Sequence, residues 1–168
     1  MATSTMNERG TTISRAKLAQ LLNEDLSREY QAIVGYVVYS QALKGPEYMS
    51  IADQLEIHAK QELTHALTIA RQVDYLGEMP SVQMKPVKTS EVPKEMLRFD
   101  LDNEVETIRN YQERVRQCEE LSEFAMAEKI REILMDEQDH LIDLATALGI
   151  DVPRVDSRKD AADKKLAS

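Results

Sequence analysis

A set of glutamate and histidine residues repeats at a constant spacing along this chain. In each copy a Glu is followed 33 residues later by the motif Glu-x-x-His, and the whole pattern recurs 75 positions further on. Positions i and i+3 of a helix lie on the same face, so each motif can present a carboxylate and an imidazole to one metal ion. Four carboxylates and two imidazoles are sufficient for a site that holds two ions. The pairs related by the offset are Glu29 and Glu104, Glu62 and Glu137, and His65 and His140.

The spacing within each copy predicts an antiparallel pair of helices. Two residues on such a pair lie at the same level when the turn falls midway between them, and the midpoint of Glu29 and Glu62 lies beside Gly45 and Pro46. Glycine ends helices well and proline begins them well, so this point is marked as a turn. In the second copy the midpoint lies beside Ser122, which we predict to be the N-cap of the next helix. Each pair then places its ligands about 24 Å from its turn, in the middle of a long bundle.

Four long helices are predicted to make up most of the chain. Glycine and proline are scarce, with 5 of each, which is typical of a mostly helical protein. The stretch between the second and third helices contains Pro80 and Pro86 and is predicted to be an extended connector. Its residues reach about 50 Å when extended, so it can cross the bundle and bring the third helix parallel to the second. The predicted fold class is an all-α four-helix bundle with a long crossover, and its helices span residues 14–43, 46–76, 93–120 and 122–148.

The chain is predicted to contain one domain, the bundle of residues 13–150, between a disordered N-terminal segment at 1–12 and a polar C-terminal tail at 151–168. A single cysteine, Cys118, suits a reducing cytosol. No apolar stretch approaches the ~18 residues that a membrane span requires, so we expect a cytoplasmic protein with no membrane partner. The net charge of -9 argues against binding of nucleic acid and favours attraction of cations.

Residues 32–39 are apolar on nearly every side of the first predicted helix. A helix that is apolar on every side must be covered on every side. We therefore expect the outer face of this segment to pair with a second copy of the chain in a homo-oligomer.

The order Glu, Glu-x-x-His, Glu, Glu-x-x-His with a long crossover resembles the ferritin-like di-iron carboxylate proteins. The likeness is closest to bacterioferritins and covers about residues 15–150, including the segments 75–80, 96–101 and 132–137. It implies that Glu62 and Glu137 bridge a pair of irons. Glu29 and His65 would complete the ligands of one iron, and Glu104 and His140 those of the other.

The function that the resemblance implies is iron storage and detoxification by a ferroxidase. Iron(II) would be oxidised by dioxygen or hydrogen peroxide at a di-iron centre inside each subunit, and the mineral would be stored in a homo-oligomeric shell; the ligand types also suit manganese. Two alternatives remain open. A rubrerythrin-like peroxidase would need electrons from outside, because the chain has no Cys-x-x-Cys segment. A Dps-like shell that protects DNA is opposed by the acidic charge and the balanced tail.

Four further residues near the motifs carry predictions. Bacterioferritins bind haem through a methionine directly after the Glu of the first Glu-x-x-His, and Leu63 stands there, so no haem is predicted. Tyr36 matches a tyrosine that the family keeps near the site, and it is equally compatible with a packing role. Asp25 and Asp100 lie one turn before the first Glu of each copy. They are candidates to orient the outer histidine nitrogens, and the alternative is that they are surface aspartates without a partner.

Overall fold

The computed structural model describes residues 13–156. The predicted disordered segment 1–12 and residues 157–168 of the predicted tail lie outside the described residues. The described part contains no strand, so the prediction of an all-α fold is confirmed. Its elements are a 3-10 turn at Pro46–Tyr48 and four helices, α1 Arg15–Ala42, α2 Met49–Tyr75, α3 Pro93–Glu120 and α4 Phe124–Leu148.

Glycine and proline set several of the helix ends, as the sequence predicts. Gly45 takes a φ of 124° just before Pro46 begins the 3-10 turn that leads into α2. Gly149 closes α4 with a left-handed φ of 67°. Pro93 is the first residue of α3, where its missing N–H leaves no hydrogen bond unmade.

The prediction that Ser122 caps the N-terminus of α4 is wrong. Ser122 has a φ of 60° and its backbone N–H donates to the carbonyl of Glu119 over 3.0 Å. The N–H of Glu123 donates to the carbonyl of Cys118 over 2.8 Å. These two bonds close α3 in the manner of a Schellman motif, so Ser122 ends one helix instead of beginning the next.

The connector between α2 and α3 lies along α1 and advances in the same direction as that helix. The connector therefore runs from the end of α2 to the far end of the bundle, where α3 begins and runs parallel to α2. The predicted crossover is confirmed. The connector is held against α1 by hydrogen bonds, which join Ser81 to Asn23, Lys85 to Ser27 and Lys88 to Tyr39.

Two apolar clusters fill the bundle on either side of its middle. One contains Leu22 of α1 and Ile69 of α2, and the other contains Tyr39 of α1 and Leu55 of α2. The segment 32–39 is divided between the two sides of α1: Gly35, Tyr36 and Tyr39 face inward, whereas Val34, Val37 and Val38 are exposed. None of the helices within residues 13–156 is long and apolar enough to cross a membrane.

Candidate metal centre

The structure brings the six predicted ligands together in the middle of the bundle, and every helix contributes to the group. None of the six is more than 3% exposed. We call this group the six-ligand centre. Its members are Glu29 on α1, Glu62 and His65 on α2, Glu104 on α3, and Glu137 and His140 on α4.

Three carboxylates surround the inner nitrogen of His65. Its Nδ1 lies 3.0 Å from Oε2 of Glu62, 3.4 Å from Oε1 of Glu137 and 3.6 Å from Oε2 of Glu29. Ligand atoms of these four residues all lie within 4.8 Å of one another, which is close enough for one ion to contact each of them. We call this group the His65 position.

The second group, the His140 position, has the same construction. Nδ1 of His140 lies 2.9 Å from Oε1 of Glu62, 3.3 Å from Oε2 of Glu137 and 3.8 Å from Oε1 of Glu104. Glu62 and Glu137 thus belong to both groups, and each turns one oxygen toward His65 and the other toward His140. This is the arrangement that two bridging carboxylates adopt between neighbouring ions.

The carboxylate oxygens of the centre are buried without enough hydrogen-bond donors. Both oxygens of Glu137 and one oxygen each of Glu29, Glu62 and Glu104 have no hydrogen-bond partner. Burying such oxygens unpaired is costly, and cations placed among them would offset that cost. Hard carboxylate oxygens together with imidazole suit iron or manganese. The residues present therefore fit a pair of such ions.

The centre is also expected to hold protons when it holds no metal. Burial and the neighbouring Glu137 raise the pKa of Glu62 well above its usual value and that of Glu104 to about 7. Burial alone would lower the pKa of His140, but the close carboxylates of Glu104, Glu137 and Glu62 outweigh it and raise the pKa to about 12. Arriving cations must displace these protons, so metal binding should release them to solvent.

The outer nitrogen of each histidine has a partner on the opposite helix of the α2 and α4 pair. Nε2 of His65 lies 3.0 Å from Oδ2 of Asp136, and Nε2 of His140 lies 3.0 Å from Oε1 of Gln61. Both partners accept, so a neutral ring keeps its proton on Nε2 and presents the Nδ1 lone pair to the centre.

The candidates that the sequence suggested for this role, Asp25 and Asp100, are wrong. Asp25 of α1 is held by Arg114 of α3, whose Nε donates to Oδ2 over 2.7 Å. Burial raises the pKa of Asp25 to about 6 although Arg114 opposes that rise. Asp100 is buried, its Oδ2 has no hydrogen-bond partner, and its Oδ1 lies beside Gly35. Neither aspartate is a surface residue, so the alternative interpretation is wrong as well.

Two tyrosines donate hydrogen bonds to the unshared glutamates. The hydroxyl of Tyr36 donates to Oε1 of Glu104, and that of Tyr111 donates to Oε1 of Glu29. Burial, followed by the adjacent carboxylate, raises the pKa of both phenols, so both remain protonated donors. Sequence reasoning found Tyr36 and missed Tyr111, although the two are 75 positions apart, the same offset that relates the ligands.

His58 is a third buried histidine beside the centre, and sequence reasoning assigned it no role. Its ring stacks on that of His140 with centroids 4.0 Å apart, and it meets the ring of Tyr36 edge-on at 5.3 Å. Its Nε2 lies 3.0 Å from Oδ2 of Asp143, and its Nδ1 is buried without a partner. Burial, aided by His140, lowers the pKa of His58 to about 4, so the ring is neutral.

A four-helix bundle with a crossover that buries this carboxylate and histidine group defines the class of ferritin-like di-iron carboxylate folds. The chain belongs to the ferritin family: the family model described as the ferritin-like domain matches residues 19–151. It is 28% identical over 137 residues to a bacterial ferritin of Synechocystis, covering 80% of this chain and 85% of the relative. It is also 28% identical to a bacterioferritin of Desulfovibrio desulfuricans, over 76% of this chain and 72% of the relative.

Solved structures agree with this assignment. A ferritin-like, diiron-carboxylate protein from Bacillus anthracis superposes with a TM-score of 0.77 and 30% identity, covering 81% of this chain and 99% of that protein. The bacterioferritin of Rhodobacter capsulatus superposes with a TM-score of 0.72 and 25% identity, covering 80% of this chain and 84% of that protein. The resemblance to the ferritin-like superfamily close to bacterioferritin is confirmed.

Proposed function

We propose that the protein is a ferroxidase that oxidises iron(II) at the six-ligand centre and stores iron(III) in a homo-oligomeric shell. The observation that carries this proposal is the orientation of the shared glutamates. Glu62 and Glu137 each direct one oxygen to the His65 position and the other to the His140 position. Two iron(II) ions held next to each other in this way can each give one electron to the same oxidant.

The side chains of the centre have distinct tasks in this reaction. The shared glutamates hold both substrate ions, whereas Glu29 and Glu104 each complete one position. Tyr36 and Tyr111 fix the unshared glutamates by occupying one oxygen of each. That leaves the second oxygen of Glu29 and of Glu104 free for iron.

Electrons and protons balance for either oxidant. Two iron(II) ions lose one electron each, and dioxygen with two protons becomes hydrogen peroxide. With hydrogen peroxide as oxidant, the same two electrons and two protons give two molecules of water. The four carboxylates match the charge of two iron(II) ions, and the protons displaced from the centre when iron binds can supply part of the two that the oxidant needs.

The experiment is anaerobic loading of the metal-free protein with iron(II), followed by dioxygen or by peroxide. We expect a rapid rise in the ultraviolet absorbance of iron(III) that saturates at about two irons per subunit. A Glu137→Ala variant should lose this phase. Glu78→Ala, which removes an exposed carboxylate just after α2, is the matched control and should keep it. Oxidation no faster than that of free iron would refute the ferroxidase.

The shell is supported by the apolar outer face of α1, where Val37 is 52% exposed between the partly exposed Val34 and Val38. A second copy that covers this face would remove apolar surface from water. A Val37→Glu variant should stay helical by circular dichroism but lose the large species in light scattering. Val82→Glu, a change at a connector side chain that is 87% exposed, should leave assembly intact. A soluble monomer of the unmutated chain would contradict the shell without affecting the oxidation chemistry.

We further propose that the assembled protein carries no stoichiometric haem. Leu63 stands at the place of the haem-ligating methionine, and its side chain is 53% exposed on α2. It has no sulfur with which to ligate a haem iron axially. Recombinant protein should therefore lack a Soret band, and a band that corresponds to about half a haem per subunit would contradict this.

A further inference from the structure

His58 and Asp143 repeat a contact of the six-ligand centre at another level of the bundle. His58 lies seven residues before His65 on α2, and Asp143 lies seven residues after Asp136 on α4. Because α2 and α4 are antiparallel, these steps lead in the same direction along the bundle. The two contacts have the same length, since each histidine Nε2 lies 3.0 Å from its carboxylate. The second contact belongs to none of the ligand groups described above.

Nε2 of His58 faces two polar side chains at once. Asp143 Oδ2 lies at 3.0 Å and the side-chain amide of Gln54 at 3.3 Å. If Nε2 of His58 donates a hydrogen bond to Asp143, it also faces the amide NH2 of Gln54, and two donors then face each other. The amide oxygen and nitrogen are interchangeable by rotation, and the rotated group would face Nε2 with an acceptor. Nε2 of His58 then faces a carboxylate oxygen and an amide oxygen, and a divalent cation could take the place of its proton among these three atoms.

The distances match those between neighbouring ligands of a small divalent cation. Metal–nitrogen and metal–oxygen bonds in proteins are about 2.1 Å, so two ligands at a right angle lie about 3 Å apart. The separations of His58 Nε2 from Asp143 and from the Gln54 amide, 3.0 and 3.3 Å, agree with that spacing. A protein site with one nitrogen and two oxygen donors needs water to complete it.

The contact opens to water on the side away from the six-ligand centre. Gln54 and Asp143 line a surface depression of about 300 Å³ together with Glu47, Ser50 and Thr146. Two carboxylates, those of Glu47 and Asp143, therefore border the depression and favour cations there. The ring of His58 lies between this depression and the centre, because its Nε2 contacts Gln54 and Asp143 and its ring stacks on that of His140.

We propose that His58, Asp143 and Gln54 form a third divalent-cation site on the side of the bundle between α2 and α4, outside the six-ligand centre. As a binding site it is independent of the proposed function.

The test counts zinc ions, because Zn²⁺ is redox-inert and accepts the same donor atoms. The full-length protein is stripped of metal, equilibrated with Zn²⁺ and analysed, alongside Asp143→Asn. We expect the variant to bind one ion fewer per subunit than the unmutated protein. Asp53→Asn, which removes an exposed aspartate next to Gln54, is the matched control and should bind the same number as the unmutated protein. An anomalous peak in zinc-soaked crystals should lie between Nε2 of His58 and Asp143.

The outcomes separate this inference from the proposed function. The difference of one ion reports the third site, whereas the number that remains in Asp143→Asn reports whether the six-ligand centre binds metal. Equal counts in the unmutated protein and Asp143→Asn would overturn the third site, as would an anomalous peak that does not contact His58. A second variant, His58→Gln, keeps a polar group but removes the imidazole and should also lose the ion.

Discussion

The His65 and His140 positions contain the same residue types, but the hydrogen-bond partners behind their histidines differ. Each has a histidine, an unshared glutamate and the two shared glutamates, and a tyrosine donates to each unshared glutamate. The partners of the outer histidine nitrogens also occupy equivalent places, because Gln61 and Asp136 are 75 positions apart. However, His65 is supported by a carboxylate and His140 by a neutral amide. The repeat therefore preserves position and changes charge.

A second difference lies one helical turn away. Asp25 is neutralised by Arg114, whereas the place equivalent to Arg114 in the other half is occupied by Tyr39, so Asp100 has no cation opposite it.

A carboxylate such as Asp136, which accepts from the outer nitrogen of His65, makes the imidazole a stronger metal ligand than a neutral amide such as Gln61 does. We therefore expect the His65 position to bind divalent ions more tightly than the His140 position.

The largest effect on metal binding is expected from replacing a shared glutamate instead of an unshared one. Glu62→Ala removes an oxygen from both positions, so the variant should lose both ions, with a loss of about a thousandfold or more in affinity. Glu29→Ala affects the His65 position alone and should leave one ion bound. Calorimetric titration with Zn²⁺ measures both counts. If Glu29→Ala also loses both ions, the assignment of bridging and terminal glutamates is wrong.

Removing the arginine that only one half possesses should have the next largest effect. Arg114→Met leaves Asp25 buried without a cation and should lower the free energy of unfolding by about 3–5 kcal/mol. Arg116→Met, a change at a more exposed arginine of the same helix, should have little effect. Thermal or urea unfolding provides the measurement.

The cost of Arg114→Met should grow with pH. Burial raises the pKa of Asp25 from 3.8 to about 6 in the folded chain, so the folded state binds the proton more tightly and stability falls as the pH rises through that window. Without Arg114 the pKa rises further, and the fall continues to higher pH. Below about pH 3, where Asp25 is protonated in both states, the difference from the unmutated protein should be smallest. A pH-independent difference would show that Asp25 does not ionise in this pair.

A smaller effect should follow from making the two outer partners alike. Asp136→Asn should weaken binding at the His65 position by about 10- to 100-fold, because the imidazole loses its carboxylate partner. Gln61→Glu should strengthen the His140 position. Stepwise metal affinities from calorimetry would detect both changes, and unchanged affinities in the two variants would remove the basis for unequal positions.

The smallest effect is expected from the tyrosines. Tyr36→Phe and Tyr111→Phe each remove one hydrogen bond to an unshared glutamate, and each should weaken one position by about 1–2 kcal/mol. Because the two bonds are equivalent, the two variants should behave alike. A large effect of one substitution alone would reveal a role beyond orientation for that hydroxyl.

Much of this arrangement could be predicted from the sequence because it depends on local rules. Gly45, Pro93 and Gly149 mark helix ends. The six residues of the centre can be found from their repeated spacing. The prediction for Ser122 is wrong because a serine between two helices can either begin one or end the other, and the sequence alone does not give its φ.

The supports of the histidines were harder to predict, because they depend on contacts between helices of different hairpins. The sequence of a single hairpin indicates Asp25 and Asp100, which precede Glu29 and Glu104 by one turn. The actual partners, Asp136 and Gln61, lie on the helix opposite each histidine. Their 75-residue offset was available in the sequence, as it was for Tyr111, but only the register of α2 against α4 shows that they reach the rings.

Each four-ligand group takes its residues from three helices, so a bound ion ties the α1 and α2 hairpin to the α3 and α4 hairpin. Opening the bundle between the hairpins then requires release of the ion. A ligand at about 100 times its dissociation constant adds about 2.7 kcal/mol to the free energy of such an opening. Amide hydrogens in the middle of the helices should exchange with solvent more slowly in metal-loaded protein. The metal content would then set how often the interior opens, and an empty subunit would be the more accessible to proteases.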